Sequence, residues 1–127
     1  MRLLLDTHAL IWFLKGDVDL SDDARNAMQD AGNLRFVSAA SFWEIAIKVA
    51  LGKIQLDVPF SELRTVVKKL GFEWLPIEFE HTLQVTSLPL LHRDPFDRML
   101  IAQALVEQLT VVTRDPWFPQ YGVPVVW

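Results

Sequence analysis

Short apolar runs alternate with segments of helical periodicity along this chain, and that alternation limits the fold more than any other feature. Runs of strand length occupy Arg2 to Leu5, Leu34 to Val37 and Leu109 to Val112. The first is followed by a helical segment from Thr7 to Lys15, and the second by one from Ser38 to Leu51. Strands separated by helices pair in parallel, so the sequence predicts an α/β protein with a mainly parallel sheet.

The other predicted elements fit the same class. They are a helix capped by Ser21 that runs to about Ala31, a helix opened by Pro59 that ends near Gly71, a strand edge from Glu73 to Pro76, a short helix from Glu80, a helix from Asp94 to Gln108 and a last edge strand from Val123 to Trp127.

Length and composition set the scale of the protein. The 127 residues fit one compact domain, so we expect a single domain over residues 1–127. Hydrophobic residues make up 51% of the chain and charged residues 22%, a mix that builds a core. The mean hydropathy of +0.22 predicts that another chain covers some apolar surface.

Several features bear on location and partners. There is no cysteine, which excludes thiolate metal sites and fits a cytoplasmic protein. An acid follows only three leucines at the N-terminus, and no apolar run approaches the roughly 18 residues of a membrane span. The net charge of −4 argues against non-specific coating of nucleic acid, although a bound divalent cation would reverse the local field.

Four acids fall at positions where ligands bind in parallel sheets. Asp6 directly follows the first strand, and Asp115 lies just beyond the strand that ends at Val112. Glu44 and Asp97 lie in the first two turns of their helices. Because ligands bind beyond the carboxyl ends of parallel strands, we expect these carboxylates to converge on one crevice.

A cluster of this kind needs a cation. Like charges a few ångströms apart repel, and hard cations such as Mg²⁺ or Mn²⁺ prefer oxygen ligands. Such a cation activates water and stabilises charge on a phosphodiester, so hydrolysis of nucleic acid is the predicted chemistry.

Each acid also has a structural interpretation. Asp6 can cap the first helix, and Glu44 stands at capping-box spacing from Ser41. Asp94 can cap the late helix with Asp97 in its first turn, and Asp115-Pro116 is a common turn dipeptide. The argument for a metal site therefore rests on the acids jointly.

The residues around these acids resemble the PIN-domain family, and more narrowly the VapC-type toxins of bacterial toxin–antitoxin pairs. The similar segments are the stretch from Leu3 to Leu10 with the Asp6-Thr7 pair, the stretch from Val37 to Ile45 with Glu44 as its acid, the stretch from Asp94 to Ala104, and the stretch from Leu109 to Asp115. They occur in the family's order.

The resemblance implies a three-layer α/β/α sandwich and a Mg²⁺- or Mn²⁺-dependent endoribonuclease. It further implies a homodimer and inhibition by a VapB-like antitoxin. The implied metal-binding and catalytic acids are Asp6, Glu44, Asp97 and Asp115. Thr113 is implied to orient a water or ligand, with Asp94 as a further acid beside the metal. His8 stands where many relatives carry asparagine, so no role is carried over to it.

Basic and aromatic residues supply further candidates. Arg98, Arg114 and Lys48 are candidates for contact with RNA phosphates, while Lys48 can instead pair with Glu44 at i,i+4. His92 lies near the acids and either contacts substrate or is an ordinary loop histidine. The adjacent aromatic pairs Trp12-Phe13 and Phe42-Trp43 point in different directions on their helices, which predicts exposed rings and a partner-binding groove.

Other functions share single features of this sequence. A phosphatase of the aspartyl-phosphate type needs a second Asp two residues after the first, where this chain has His8. A catalytically inactive PIN-like RNA-binding or regulatory module is the main alternative. DNA stays possible as a substrate, because nothing in the sequence reads the 2′-hydroxyl.

Overall fold

A five-stranded sheet forms the centre of the protein in the computed structural model, which describes residues 1–127. The strands, numbered along the chain, are β1 (Arg2–Leu5), β2 (Leu34–Ser38), β3 (Glu73–Leu75), β4 (Thr110–Val112) and β5 (Val125–Val126). They lie in the order β3-β2-β1-β4-β5, and all four pairings are parallel.

Six helices connect and cover the strands. They are α1 (Thr7–Lys15), α2 (Asp22–Gln29), α3 (Ala39–Ala50), α4 (Leu63–Lys69), α5 (Phe79–Ser87) and α6 (Pro95–Glu107), with short 3₁₀ turns at Phe60–Glu62 and Pro119–Tyr121. None of these helices is both long and apolar enough to cross a bilayer.

The side chains of β1 divide between two apolar cores. Leu3 and Leu5 belong to one core, which also holds residues of α1, α2 and α4. Leu4 points the other way, into a core built largely on α6. Because successive strand residues face opposite sides, the consecutive buried leucines of β1 require helices on both faces of the sheet. This is the three-layer arrangement.

The predicted fold class is confirmed, and the element boundaries shift slightly. The sheet is parallel throughout rather than mainly so. The helix opened by Pro59 begins as a 3₁₀ turn, and the regular helix starts only at Leu63. The last strand is confined to Val125–Val126, because Pro124 lacks the amide hydrogen that strand pairing uses.

The strand order also locates a crevice. From β1 the chain first adds β2 and β3 on one side, then crosses to add β4 and β5 on the other. The order therefore reverses between β1 and β4. In open α/β sheets, ligands bind beyond the carboxyl ends of the strands at this reversal point. A ligand-binding site is therefore expected at the residues that follow β1 and β4.

Candidate metal centre

The residues after β1 and β4 are joined by a short chain of hydrogen bonds. Leu5 pairs with Val112 in the sheet, so Asp6 and Thr113 emerge side by side. The Thr113 hydroxyl donates to Oδ2 of Asp6 at 2.6 Å and accepts a bond from the backbone N–H of Asp115 at 3.0 Å. Thr113 thereby fixes the positions of two of the predicted acids.

Asp6 caps α1, and the same carboxylate lines the crevice. Its Oδ1 accepts the N–H of Ala9 at 2.7 Å and so caps α1, while Oδ2 faces Thr113. The side chain is buried, with 6% of the residue exposed. Burial raises the pKa of Asp6 above 3.8, the nearby Asp115 raises it further, and the two hydrogen bonds lower it. The cap and the carboxylate of the predicted metal site are therefore the same group.

The N-terminus of α6 brings a third carboxylate to this crevice. Asp94 caps the helix by accepting the N–H of Asp97 at 2.9 Å, which orients the first turn. Oδ2 of Asp97 lies 2.7 Å from Nε2 of His92. Burial raises the pKa of Asp97 to about 6, helped by Asp94, Asp6 and Asp115, while the bond from His92 lowers it.

Asp97 and Asp115 form a tight group with His92. Nε2 of His92 is 4.0 Å from Oδ2 of Asp115, and one potential ligand atom from each of the three residues lies within 4.8 Å of the others. His92 and Asp97 are five residues apart in the chain, and Asp115 follows 18 residues after Asp97. Burial is the main cause of the raised pKa of Asp6 and of Asp97, and the charges of neighbouring acids raise both pKa values further.

Glu44 lies in the adjoining part of the crevice. It lines a depression together with Asp94 and Asp97, and its Oε2 is 2.9 Å from Nζ of Lys48. The other carboxylate oxygen, Oε1, is buried without any hydrogen-bond partner. An unpaired buried carboxylate oxygen is costly, and a cation would offset that cost.

Two buried hydroxyl contacts tie together the elements that carry the acids. The Thr7 hydroxyl of α1 donates to Oγ of Ser41 in α3 at 3.0 Å. Ser38, at the end of β2, donates to Oε1 of Gln103 in α6 at 2.5 Å. Both bonds lie in buried surroundings, where a satisfied polar pair holds a fixed geometry. The sequence analysis missed these roles, because they depend on long-range packing.

The three basic candidates differ in the structure. Lys48 pairs with Glu44, as the i,i+4 spacing allowed, and Arg114 is exposed with Cζ 4.5 Å from the centre of the Trp12 ring. Both line the crevice. Arg98 instead donates to backbone carbonyls of the 85–92 segment, including those of Pro89 and His92. Its donors are engaged in holding a loop, so we leave Arg98 out of the proposed RNA contacts.

Aromatic rings flank the carboxylates on two sides. Trp117 stacks on His92 with ring centres 5.5 Å apart and remains 37% exposed. Trp43 is 62% exposed and meets Phe96, which lines the Glu44 depression, at 5.1 Å. The prediction of an exposed ring is thus confirmed for the Phe42-Trp43 pair. It is wrong for the other pair, in which Trp12 and Phe13 are both half-buried because each packs on a second aromatic ring.

The residues present fit a divalent cation. Asp6 and Asp115 line one part of the crevice, Asp97 and Glu44 line the adjoining part, and Glu44 has a buried oxygen without a partner. Hard cations bind oxygen donors of this kind. His92 is the residue that the sequence analysis undervalued. Its position in the chain just before Asp94 and Asp97 was the available signal.

A Thr113→Val variant is expected to weaken divalent-cation binding. Valine keeps the shape but removes the hydroxyl that donates to Asp6 and accepts from Asp115. Loss of a group that orients metal ligands typically lowers metal affinity about 10–100-fold. Calorimetric titration of Mn²⁺ would measure this change. Thr113→Ser keeps the hydroxyl and should bind nearly as tightly as wild type, and equal weakening in both variants would contradict the assigned role.

The fold is shared with several solved structures. A structure of VapBC2 from Rickettsia felis bound to a promoter DNA fragment has a TM-score of 0.72 and 17% identity, covering 98% of this chain and 97% of that one. The structure of FitAcB from Neisseria gonorrhoeae has a TM-score of 0.65 and 22% identity, covering 97% of this chain and 95% of that one. The structure of the PIN domain endonuclease Utp24 has a TM-score of 0.54 and 15% identity, covering 98% of this chain and 82% of that one.

Sequence comparison identifies the family. No curated protein sequence matches this chain significantly. The profile of the PIN domain matches residues 3–124, which is nearly the whole chain and includes all four acids of the crevice. The parallel sheet order and the acids at its reversal point agree with that match. The chain belongs to the PIN domain family.

Proposed function

We propose that this protein is a metal-dependent endoribonuclease and the toxin component of a VapBC-type toxin–antitoxin pair. One observation carries the nuclease assignment: carboxylates from three separate elements, Asp6, Asp97 and Asp115, converge at the reversal point of the sheet. Their mutual repulsion is strong enough to contribute to the raised pKa of Asp97. A divalent cation bound there would remove that repulsion.

The chain's own groups divide the work of phosphodiester hydrolysis. Asp6, Glu44, Asp97 and Asp115 are the proposed ligands of Mg²⁺ or Mn²⁺, with Asp94 orienting the first turn of α6. When bound, the cation supplies charge stabilisation at the phosphate and lowers the pKa of an attacking water. Thr113 holds Asp6 in place, while Lys48 and Arg114 at the rim of the crevice are positioned to meet neighbouring phosphates.

The charge distribution supports a nucleic-acid substrate despite the net charge of −4. Lys48 and Lys53 border the Glu44 depression, and Arg114 borders the part with Asp6 and Asp115. Basic side chains therefore line the same depressions as the acids. This pattern suits a nucleic-acid backbone in which one phosphate contacts the bound cation and neighbouring phosphates contact basic side chains.

The direct test is cleavage of a labelled single-stranded RNA by the purified protein. We expect cleavage with Mn²⁺ or Mg²⁺, none with excess EDTA, and recovery when the metal is restored. A DNA strand of the same sequence, tested in parallel, decides the sugar preference. Tight RNA binding without cleavage under any metal condition would favour the inactive RNA-binding module instead.

Exposed tryptophans beside the crevice predict a preference for single strands. Trp43→Ala and Trp117→Ala should each raise KM for single-stranded RNA about tenfold, because base–aromatic stacking contributes about 1–3 kcal/mol per base. Trp74→Ala is the matched control, since Trp74 is 41% exposed but lies on edge strand β3. Equal effects in all three variants, or equal effects on duplex RNA, would refute the stacking role.

An apolar groove between α1 and α4 is our candidate for antitoxin docking. Its lining includes Ile11, Leu14, Leu56, Val58, Leu63 and Val66. The likeness to the VapBC2 and FitAcB structures supports a protein partner. This groove replaces the predicted aromatic one, because Trp12 packs against Arg114 and Trp127.

A charge in the groove should abolish antitoxin inhibition. Leu14→Glu is expected to weaken binding of a VapB-like antitoxin at least about 30-fold, as for a central interface residue worth about 2 kcal/mol. Leu34→Glu, at an exposed position at the start of β2, is the control. Pull-down and inhibition assays with the protein encoded beside this one would measure both. Unchanged inhibition in Leu14→Glu would remove this groove from the account.

The remaining parts of the proposal concern assembly and location. We propose a cytoplasmic homodimer, supported by the mean hydropathy of +0.22 and by exposed large apolar side chains such as Leu51, Phe79 and Leu83. Sedimentation analysis of the purified protein tests this assembly. A dimer has a mass of twice 14.6 kDa.

A further inference from the structure

His92 is held in the crevice as firmly as the acids are. Its backbone N–H donates to the Tyr121 hydroxyl at 2.7 Å, and its carbonyl accepts from Arg98 at 3.1 Å. The imidazole lies nearly parallel to the Trp117 ring, with an angle of 5° between the planes. Only 17% of the side chain is exposed. An ordinary surface-loop histidine has no comparable set of restraints.

These contacts orient the imidazole of His92 so that Nε2 lies near the carboxylates of Asp97 and Asp115. Nε2 is 2.7 Å from Oδ2 of Asp97 and 4.0 Å from Oδ2 of Asp115. Donor atoms around one octahedral cation lie about 3 Å apart when adjacent and about 4 Å when opposite, given metal–ligand distances of about 2.1 Å. The two separations from Nε2 are therefore close to those around one octahedral cation, and the ligand atoms of all three residues lie within 4.8 Å of one another.

We propose that Nε2 of His92 is a ligand of the divalent cation, which makes the centre a mixed nitrogen–oxygen site. This proposal rests on the proposed nuclease function and adds a residue that the acid pattern does not include. Neutral imidazole binds transition metals well, whereas Mg²⁺ strongly prefers oxygen ligands. The mixed site consequently favours Mn²⁺ and similar first-row cations over Mg²⁺.

Glu44 supplies a second and independent sign of a cation in this crevice. Its Oε1 is buried without a partner, and the residue is only 7% exposed. Glu44 and Asp97 line the same depression, so Glu44 is a neighbour of the proposed site. The alternative role for His92 is a hydrogen bond from Nε2–H to Asp97 that only positions the carboxylate.

Pulsed electron paramagnetic resonance of Mn²⁺ bound to the metal-free protein separates these roles. In wild type we expect a ¹⁴N coupling from a directly bound imidazole. His92→Gln should lose the coupling and lower the ratio of Mn²⁺ to Mg²⁺ affinity, since the nitrogen ligand that Mn²⁺ accepts more readily than Mg²⁺ is replaced. His8→Gln is the matched control, because exposed His8 lines the same crevice but lies outside the His92 group.

Each outcome has one meaning, and the wild-type spectrum is decisive even if a variant folds poorly. Bound Mn²⁺ without a ¹⁴N coupling in wild type overturns the ligand role of His92 and leaves the nuclease proposal standing. Loss of the coupling in His8→Gln with retention in His92→Gln also overturns it, since the nitrogen then comes from His8. No Mn²⁺ binding at millimolar concentration overturns both proposals together.

Discussion

Replacing Asp97 with asparagine is expected to abolish RNA cleavage while making the metal-free protein more stable. Asparagine keeps the shape and can still accept the hydrogen bond from His92, but it lacks the charge that a cation requires. Loss of several kcal/mol of charge stabilisation corresponds to about 10³-fold or more in rate. A protein that is inactive because it has unfolded would show the opposite change in stability.

The expected gain in stability has a physical cause. At pH 7 the ionised Asp97 is held against burial and against Asp94, Asp6 and Asp115. Removing that charge should raise the free energy of unfolding by about 1–2 kcal/mol, or a melting temperature by roughly 4 °C for a chain of this size. Thermal melts in EDTA measure the change.

Asp23→Asn is the matched control for this experiment. Asp23 is an exposed acid in the first turn of α2, away from the crevice. Its substitution should leave cleavage unchanged and lower stability slightly, because a favourable interaction with the helix dipole is lost. Wild-type cleavage by Asp97→Asn, or a lower melting temperature in EDTA, would show that the crevice is not a strained acid cluster.

The second large effect is a reversal of pH dependence when metal is added. The pKa of Asp97 is raised from 3.8 to about 6, so the folded state holds its proton more tightly than the unfolded state. Between these two values, the stability of the metal-free protein therefore falls as pH rises. The full difference corresponds to about 3 kcal/mol, present below pH 4 and lost by about pH 6 to 7.

Divalent cations reverse this trend because they bind the deprotonated carboxylate. Below pH 6, affinity should fall about tenfold per pH unit for each proton displaced. We expect 1 mM Mn²⁺ to raise the melting temperature by several degrees at pH 7.5 and to have little effect at pH 5. Asp97→Asn should lack both the metal effect and most of the pH dependence. A wild-type metal effect of equal size at both pH values would contradict the linkage.

The acids could be predicted because their positions follow from local rules. Asp6 and Asp115 follow apolar runs of strand length, and Asp97 lies in the first turn of a helix that Asp94 caps. Each position is fixed by its neighbours in sequence. Parallel pairing then brings strand ends together, so convergence at one edge of the sheet was foreseeable from the chain alone.

Other parts of the crevice depend on contacts that are distant in sequence. His92 reaches Asp97 because Tyr121 and Arg98 hold the loop around it, and no local pattern marks that network. The same network engages Arg98, whose charge beside the acids had indicated an RNA contact. The reversal of strand order between β1 and β4 is likewise a property of the whole sheet rather than of either strand.

The most direct test of the central claim is the location of Mn²⁺ in a crystal grown or soaked with that ion, using its anomalous scattering. We expect an anomalous Mn²⁺ peak bounded by the carboxylates of Asp6, Asp97 and Asp115. The same peak should be absent from crystals of Asp97→Asn. A Mn²⁺ peak elsewhere with none in this crevice at millimolar concentration would contradict the claim that these carboxylates form the metal centre.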